Sequence, residues 1–473
     1  MKKPAVQLEG QRVLAVGLAR TGVATALFCA GHGARVTATD EQPEAKLAEA
    51  ATALRAAGVA LELGGHRRET FLAQDLIIPS PGVPFDHPDL AAARAKNITV
   101  WSEIELAWRL LRGRLIVITG SNGKTTTTAL LGHILKTAGI PVQVGGNIGT
   151  PLISLVASST DSGVTVAEAS SFQLEAIAAF RPDVAVLLNL TPDHLDRHGS
   201  LDGYRRAKAR VFENQCQEDA AVINADDSAA AEMAPSRPRL HWFSRKGPVV
   251  QGACVRGEEI ILQRRGEEFW LMSRADIPLR GDHNLENVLA AAVAAHLAGA
   301  EPQAIAAGVR SFAGVEHRLQ FVASIDGVDF YNDSKATNVD ATRKALEAFP
   351  GNLLVILGGK DKGSDYSALR EPLRERARAA YLIGAAASKI GKQIAGAVPA
   401  EHAVTLENAV LAAFERARPG DTVLLAPACA SFDQFNNYEH RGSVFVSLVE
   451  QLAASRASGR TSEKTAESSR GKK

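Results

Sequence analysis

The 473-residue sequence has only four cysteines, Cys29, Cys216, Cys254 and Cys429, and no two of them form a C-x-x-C pair. That spacing excludes a zinc knuckle and a dithiol redox motif, leaving isolated thiols of the kind kept reduced in a cytoplasm. An excess of charge of one sign is also missing: 53 lysines and arginines face 52 aspartates and glutamates. With no net field, neither nucleic acid nor an anionic membrane is expected as a partner, so any anionic substrate must be held by local groups. No apolar run reaches the roughly 20 residues that a membrane span requires, and the longest helical candidate, NVLAAAVAAHLAGA, stops short. The basic start is broken by Glu9 and Arg12 before a signal-type apolar core can form. These absences lead to the expectation of a soluble cytoplasmic protein with no membrane insertion; a monomer is favoured, although no feature of the sequence fixes the oligomeric state.

What is present is a recurring strand, glycine and helix pattern: RVLAVG, RLIVITG, DVAVLLNL, NLLVILGG and DTVLLAPA. Strands alternating with helices imply parallel sheets, with ligands at the carboxyl ends of the strands. The length suits three domains. The predicted fold is α/β: a Rossmann-like domain over 1–101, a central P-loop ATPase-like domain over 102–313, and a C-terminal Rossmann-like domain over 314–454. Between about Pro235 and Pro278, alternation with glycine turns predicts a small antiparallel appendage of the central domain. Residues 455–473 are polar and Ser-rich, without large apolar side chains, and are expected to form a disordered tail.

A phosphate-loop pattern, G-x-x-x-x-G-K-[ST], asks for glycine at position 118, where this chain has isoleucine in VITGSNGKTTTT. The shortened loop still lies between a buried strand and a helix. It predicts a nucleotide phosphate held by Gly120, Ser121, Asn122, Gly123, Lys124, Thr125 and Thr126, with Lys124 neutralising charge and the Thr125 hydroxyl ligating Mg²⁺. Glu168 and His194 close the following strands, so they face the same sheet edge. Singly each reads as a surface or capping residue; with Thr125 they suggest a metal cluster.

The first domain lacks the middle glycine of G-x-G-x-x-G: Gly17 and Gly22 are present but Ala19 stands between them. That weakens a dinucleotide reading, although Asp40, about 20 residues on, keeps an NAD site open for this segment taken alone.

GSNGKTTTT, GGNIGTP, EASSFQLE, NLTPDHLDRHG, YRRAKARVF, GDHNLEN, EHRLQ, NDSKATN and ACASFDQF occur in the order seen in the Mur ligases, the ATP-dependent amide-forming enzymes of peptidoglycan synthesis. The sequence resembles that family from residue 12 to about 450. The resemblance implies ATP and two Mg²⁺ ions, with Thr125, Glu168, His194 and Lys208 as metal-site residues. It further implies that Lys208 carries a CO₂-derived carbamate, whereas from spacing alone Lys208 is a helix-surface lysine. The implied catalytic set is Lys124, Lys208, His194 and Glu168. Asn284 and Asn287, at i and i+3, would read the adenine edge, although taken alone they could equally be capping asparagines. Arg318 would contact phosphate and Asp333 ribose. Gly17, Leu18, Ala19, Arg20, Asp40, Ser80, Pro81, Gly82 and Asn147 would bind a UDP-muramoyl substrate.

No Asp-Asn-Pro-Arg motif of the diamino-acid-adding members is present. NDSKATN, GGKDKGSDY and ACASFDQFNNYEHRG resemble instead the D-glutamate-adding branch. The resemblance then implies UDP-N-acetylmuramoyl-L-alanine and D-glutamate as substrates, with Lys335, Thr337, Lys362, Ser431 and Tyr438 around D-glutamate. Lys360 competes with Lys362 for one of those places. Another Mur ligase, a folylpolyglutamate synthase-like ligase, and a non-catalytic nucleotide-binding protein are the alternatives.

Overall fold

The computed structural model describes residues 3–264, 266–361 and 363–470. Two compact units emerge, Met1–Ile277 with Glu286–Phe312, and Pro278–Leu285 with Ala313–Lys473. The first unit holds two sheets and the second holds one. The predicted three-part α/β architecture is the one observed.

In the first sheet the strands are β1 Arg12–Val16, β2 Arg35–Asp40, β3 Ala60–Leu63, β4 Leu76–Pro79 and β5 Thr99–Val100, in the order β3-β2-β1-β4-β5. All pair in parallel. Side chains alternate across a strand, so Val13 and Ala15 enter one apolar core while Leu14 and Val16 enter another. A sheet buried on both faces explains why RVLAV is apolar without alternation.

The central sheet has nine strands: β6 Arg114–Thr119, β7 Val142–Gly146, β8 Val164–Glu168, β9 Val184–Leu187, β10 Ala220–Asn224, β11 Arg239–Ser244, β12 Gly252–Arg256, β13 Glu259–Arg264 and β14 Glu267–Ser273. Their order is β14-β13-β12-β11-β10-β9-β6-β8-β7. The expected antiparallel appendage is the meander β12–β14, and it is continuous with the main sheet because β12 pairs in parallel with β11.

Helix Glu103–Leu110 follows the first sheet and carries two fully buried acids. Glu105 accepts from the amides of Ala178, Ala179 and Phe180 and pairs with Arg109 at 2.7 Å. Glu103 has fewer partners, and burial pushes its carboxyl up to about 7, against the pull of the Ile153 and Leu152 amides. A carboxyl with a higher pKa folded than unfolded favours the native state only while protonated. Stability is therefore expected to fall by roughly 3 kcal/mol between about pH 4.5 and pH 7 on account of this group. Urea unfolding at several pH values checks this: Glu103→Gln should flatten that slope, and an unchanged slope would contradict it.

The sheet of the second unit comprises β15 Gln320–Ile325, β16 Val328–Asn332, β17 Leu353–Gly358, β18 Ala377–Ile383, β19 Ala400–Val404 and β20 Thr422–Leu425, ordered β15-β16-β20-β17-β18-β19. Only the β15–β16 pair is antiparallel. Again both faces are buried, with Leu353, Val355 and Leu357 in one core and Leu354 and Ile356 in the other.

The last helix runs Tyr438–Arg470. Alanine, glutamate, lysine and arginine carry helix propensity even where no apolar stripe exists to dock. Among the described residues no helix is long and apolar enough to cross a membrane.

Candidate active site

Parallel pairing of β6 with β8 and β9 dictates where the site must lie. Ile118 is in register with Glu168, and Thr119 with Leu187, so the chain leaving β6 emerges between the ends of its two neighbours. That chain is the phosphate loop. Gly123 adopts φ +86° as N-cap of helix Lys124–Thr137, which aims the first amides of the helix at the sheet edge. A Cβ at Gly123 would stand 2.3 Å from Asn287 Oδ1. Gly123→Ala is accordingly expected to weaken nucleotide binding about tenfold or more through strain in the left-handed region. Equilibrium titration with ATP checks this, and wild-type affinity would contradict it.

The loop is tied down on both sides. The Asn122 amide donates to Asn189 Oδ1 at 2.8 Å, and Asn189 Nδ2 donates back to the Asn122 carbonyl. Ser121 Oγ donates to the Thr191 carbonyl and accepts from the Thr191 amide, both at 2.9 Å, and lies 3.2 Å from the Tyr204 hydroxyl. Thr126 is buried, its hydroxyl without a hydrogen-bond partner. Lys124 Nζ donates to the carbonyls of Gly120 and Ser121 at 2.9 Å each, keeping its charge over the loop.

Glu168, at the end of β8, is buried and accepts from Thr125 Oγ1 and from Asn147 Nδ2, both at 2.9 Å. Two expected metal residues thus meet. Asn147, expected on the muramoyl substrate, bonds Glu168 here. Lys208 lies on helix Leu201–Ala209 and is 1% exposed, a burial that spacing gave no reason to expect. Its Nζ donates to the Gly120 carbonyl at 2.8 Å and sits 4.6 Å from the Tyr204 ring centre. Burial, with Lys124 close by, holds this amine well below the ordinary lysine range, against the pull of Asp193 and Glu168. His194 contacts a different set of groups: it is half exposed, 3.5 Å from Asp193 and edge-on to Phe172.

Asn287 accepts from Thr127 Oγ1 at 3.2 Å, so it braces the loop helix, while Asn284 donates to the Arg280 carbonyl at 2.7 Å. In the second unit Asp333 is buried and accepts from the Leu319 amide at 3.2 Å. Burial pushes its carboxyl up to about 6, with Arg318 and Lys335 opposing.

The segments expected around D-glutamate converge at the carboxyl end of the third sheet. Ser334 Oγ donates to the Tyr438 carbonyl at 2.8 Å, and the Lys360 amide donates to the Ala430 carbonyl at 2.8 Å. Lys335 Nζ lies 5.5 Å from the Tyr438 ring centre, the Thr337 amide donates to the Lys335 carbonyl, and Ser431 is buried. Lys362 falls outside the described residues. At the centre stands Arg441, fully buried, donating to Ser334 Oγ and to the carbonyls of Ser334, Cys429 and Ala430. Arg441 lies in NNYEHRG, and Asn189, Thr191 and Tyr204 lie in their motifs, yet nothing in the local sequence marks their roles.

In the first sheet, Gly17, Leu18, Ala19, Asp40, Ser80, Pro81 and Gly82 line a cavity of about 450 Å³. Asp40 accepts from the Leu18 amide at 2.6 Å and the Gln42 amide at 2.8 Å, so both of its oxygens fix backbone. A Cβ at Gly22 would overlap the Gly17 carbonyl, which accounts for the retained outer glycine. Arg20 reaches out of this group to the Gly149 carbonyl at 2.6 Å.

Family models agree with this arrangement. A MurD-like N-terminal domain of Mur ligases matches residues 11–102, the Mur ligase middle domain matches 118–295, and the Mur ligase glutamate ligase domain matches 317–429. The chain belongs to the Mur ligase family. Among curated relatives, this Mur ligase is 55% identical over 448 residues to the UDP-N-acetylmuramoylalanine--D-glutamate ligase of Solibacter usitatus, covering 94% of this chain and 99% of that protein. It is 54% identical to the protein of the same name from Acidobacterium capsulatum, covering 94% and 97%. A pseudomurein peptide ligase type C from Methanothermus fervidus shares the Mur ligase fold, with a TM-score of 0.59 at 19% identity, over 94% of this chain and 100% of that one.

Of the eight residues other than glycine with a left-handed backbone among the described residues, four lie in the family's motif segments: His194, His317, Leu319 and Ala428. Such conformations cost of order 1–3 kcal/mol and persist where the surroundings over-determine them, as at ligand sites.

Proposed function

We propose that this Mur ligase joins D-glutamate to UDP-N-acetylmuramoyl-L-alanine, consuming ATP through an acyl phosphate. The observation that carries the chemistry is the meeting of Lys124, Thr125, Glu168 and buried Lys208 around one loop. A carboxylate acylates an amine poorly until one of its oxygens becomes a leaving group, and transfer of the γ-phosphoryl makes it one. Such transfer depends on positioning and charge neutralisation. The Gly123 turn presents helix amides to the phosphates, and Lys124 exchanges its loop carbonyls for phosphate oxygens.

The donor set fits Mg²⁺, which takes oxygen ligands: the Thr125 hydroxyl and the Glu168 carboxylate are buried and already in contact. Bound Mg²⁺ would neutralise charge on the phosphates. Lys208 fits a carbamate, because an amine depressed by burial spends more time uncharged, the form that adds to CO₂, and the carbamate would supply a further acidic oxygen. His194 would join the metal ligands. Asn284 and Asn287 are assigned to adenine, Arg318 and Asp333 to phosphate and ribose. The cavity beside Asp40 is assigned to the UDP moiety, with Arg20 and Asn147 nearer the muramoyl end. The protein would act in the cytoplasm as a monomer.

For the amine substrate, Lys335, Thr337, Lys362, Ser431 and Tyr438 supply cations and hydroxyls suited to a dicarboxylate, and the relatives' names point the same way. Removing a charge-assisted hydrogen bond costs about 1.5–3 kcal/mol. Lys335→Ala is therefore expected to raise KM for D-glutamate by roughly 10- to 100-fold with little change for ATP. Steady-state kinetics varying each substrate tests this, and an equal rise for both would argue against the assignment.

A further inference from the structure

Among the side chains lining the cavity beside Asp40, Glu41, His66 and His87 have no place in the proposed nucleotide contacts. One carboxylate oxygen and one nitrogen from each ring lie within 4.8 Å of one another. They come from separate stretches of chain. Glu41 directly follows β2, His66 follows β3, and His87 is the N-cap of helix Pro88–Ala95. Parallel strands deliver the first two to the same sheet edge, so the convergence is set by the fold.

The ring planes of His66 and His87 stand at 90° with centres 5.6 Å apart, an arrangement without stacking. His66 Nδ1 lies 2.8 Å from the hydroxyl of fully buried Thr39. If Nδ1–H donates to that hydroxyl, Nε2 carries the lone pair, which is the outer hydrogen bond that orients a metal-binding histidine. Burial and then His87 hold the His66 ring below the usual histidine range, with Glu41, Asp40 and Asp89 opposing. His87 Nδ1 accepts from the Asp89 amide at 3.3 Å. Metal uptake must give up that long bond: coordination at Nδ1 displaces the amide, and coordination at Nε2 moves the ring proton to Nδ1.

We propose that Glu41, His66 and His87 form a binding site for a borderline divalent cation such as Zn²⁺, distinct in place and chemistry from the Mg²⁺ site. Two imidazoles and one carboxylate are a donor set that zinc favours and Mg²⁺, which prefers oxygen, does not. Because the donors line the same cavity as the glycine turn, zinc and the uridine nucleotide exclude one another. This second statement rests on the nucleotide reading of the cavity; metal binding does not.

The test is calorimetric titration of the metal-stripped full chain with ZnCl₂ and, separately, MgCl₂. His66→Gln and His87→Asn serve as variants, the latter retaining a capping side chain. One zinc per chain, weakened at least tenfold in each variant and not matched by magnesium at the same position, is the expected result. No saturable zinc binding, or zinc binding untouched in both variants, would overturn the site. Circular dichroism establishes that the variants are folded, and the visible spectrum of bound Co²⁺ gives a readout independent of heat. UDP added beforehand should weaken zinc binding. Unaltered binding in the presence of UDP would overturn the exclusion while leaving the metal site standing.

Discussion

Lys208→Ala is expected to lower kcat by roughly two to three orders of magnitude, the scale on which losing a preorganised electrostatic group acts. The side chain is 1% exposed, stands at the phosphate loop through Gly120, and is pressed toward its uncharged form by burial and by Lys124. An unmodified ammonium so placed would be costly to bury. A carbamate would convert it to an acidic ligand beside Thr125 and Glu168. Formate or acetate, small enough to enter the vacated space, should restore part of the activity by supplying the missing oxygens. Phosphate release measured with and without these anions checks the rescue, and carbon-13 spectroscopy under labelled CO₂ should show the carbamate in the parent protein only. Full activity of Lys208→Ala would remove the carbamate from the account.

Arg441→Met should destabilise the second unit by roughly 3 kcal/mol, the upper end of the cost of leaving buried acceptors without donors. The guanidinium joins the ends of two strand-following segments: it donates to Ser334 Oγ at 2.9 Å, to the Ser334 carbonyl at 2.8 Å and to the Cys429 carbonyl at 3.2 Å. Burial lowers its pKa to about 10, yet it stays charged at neutral pH. Methionine fills much of the volume but leaves those carbonyls without donors, the expensive half of losing a hydrogen bond. Lysine keeps the charge but lacks the planar fork, so Arg441→Lys should recover only part of the loss. Urea denaturation followed by a probe in this unit measures both, and near-parental stability of Arg441→Met would contradict the role given to Arg441. Since Ser334 precedes Lys335 and also holds the Tyr438 carbonyl, affinity for D-glutamate should fall alongside stability.

The parallel sheets were legible because strands buried on both faces carry uninterrupted apolar runs, as RVLAV, RLIVIT and LLVILG do. The phosphate loop was legible for a related reason, since Gly123 and Lys124 lie between such a strand and a helix. Lys208 and Arg441 were not legible from spacing, because nothing local distinguishes a buried cation from a solvated one. Their burial depends on contacts with residues 88 and 107 positions away. Glu103 and Glu105, acids in the first turn of their helix, are likewise enclosed by contacts that only the fold supplies.

The most direct test of the proposed reaction is ATP-dependent phosphate release with UDP-N-acetylmuramoyl-L-alanine and, in separate reactions, D-glutamate, L-glutamate, L-lysine, diaminopimelate or D-alanyl-D-alanine. Rapid release with D-glutamate alone, dependent on the muramoyl substrate, is the predicted result. Release with a different amine in place of D-glutamate would contradict the assignment of Lys335, Thr337, Ser431 and Tyr438, and release with none would contradict the ligase reaction itself.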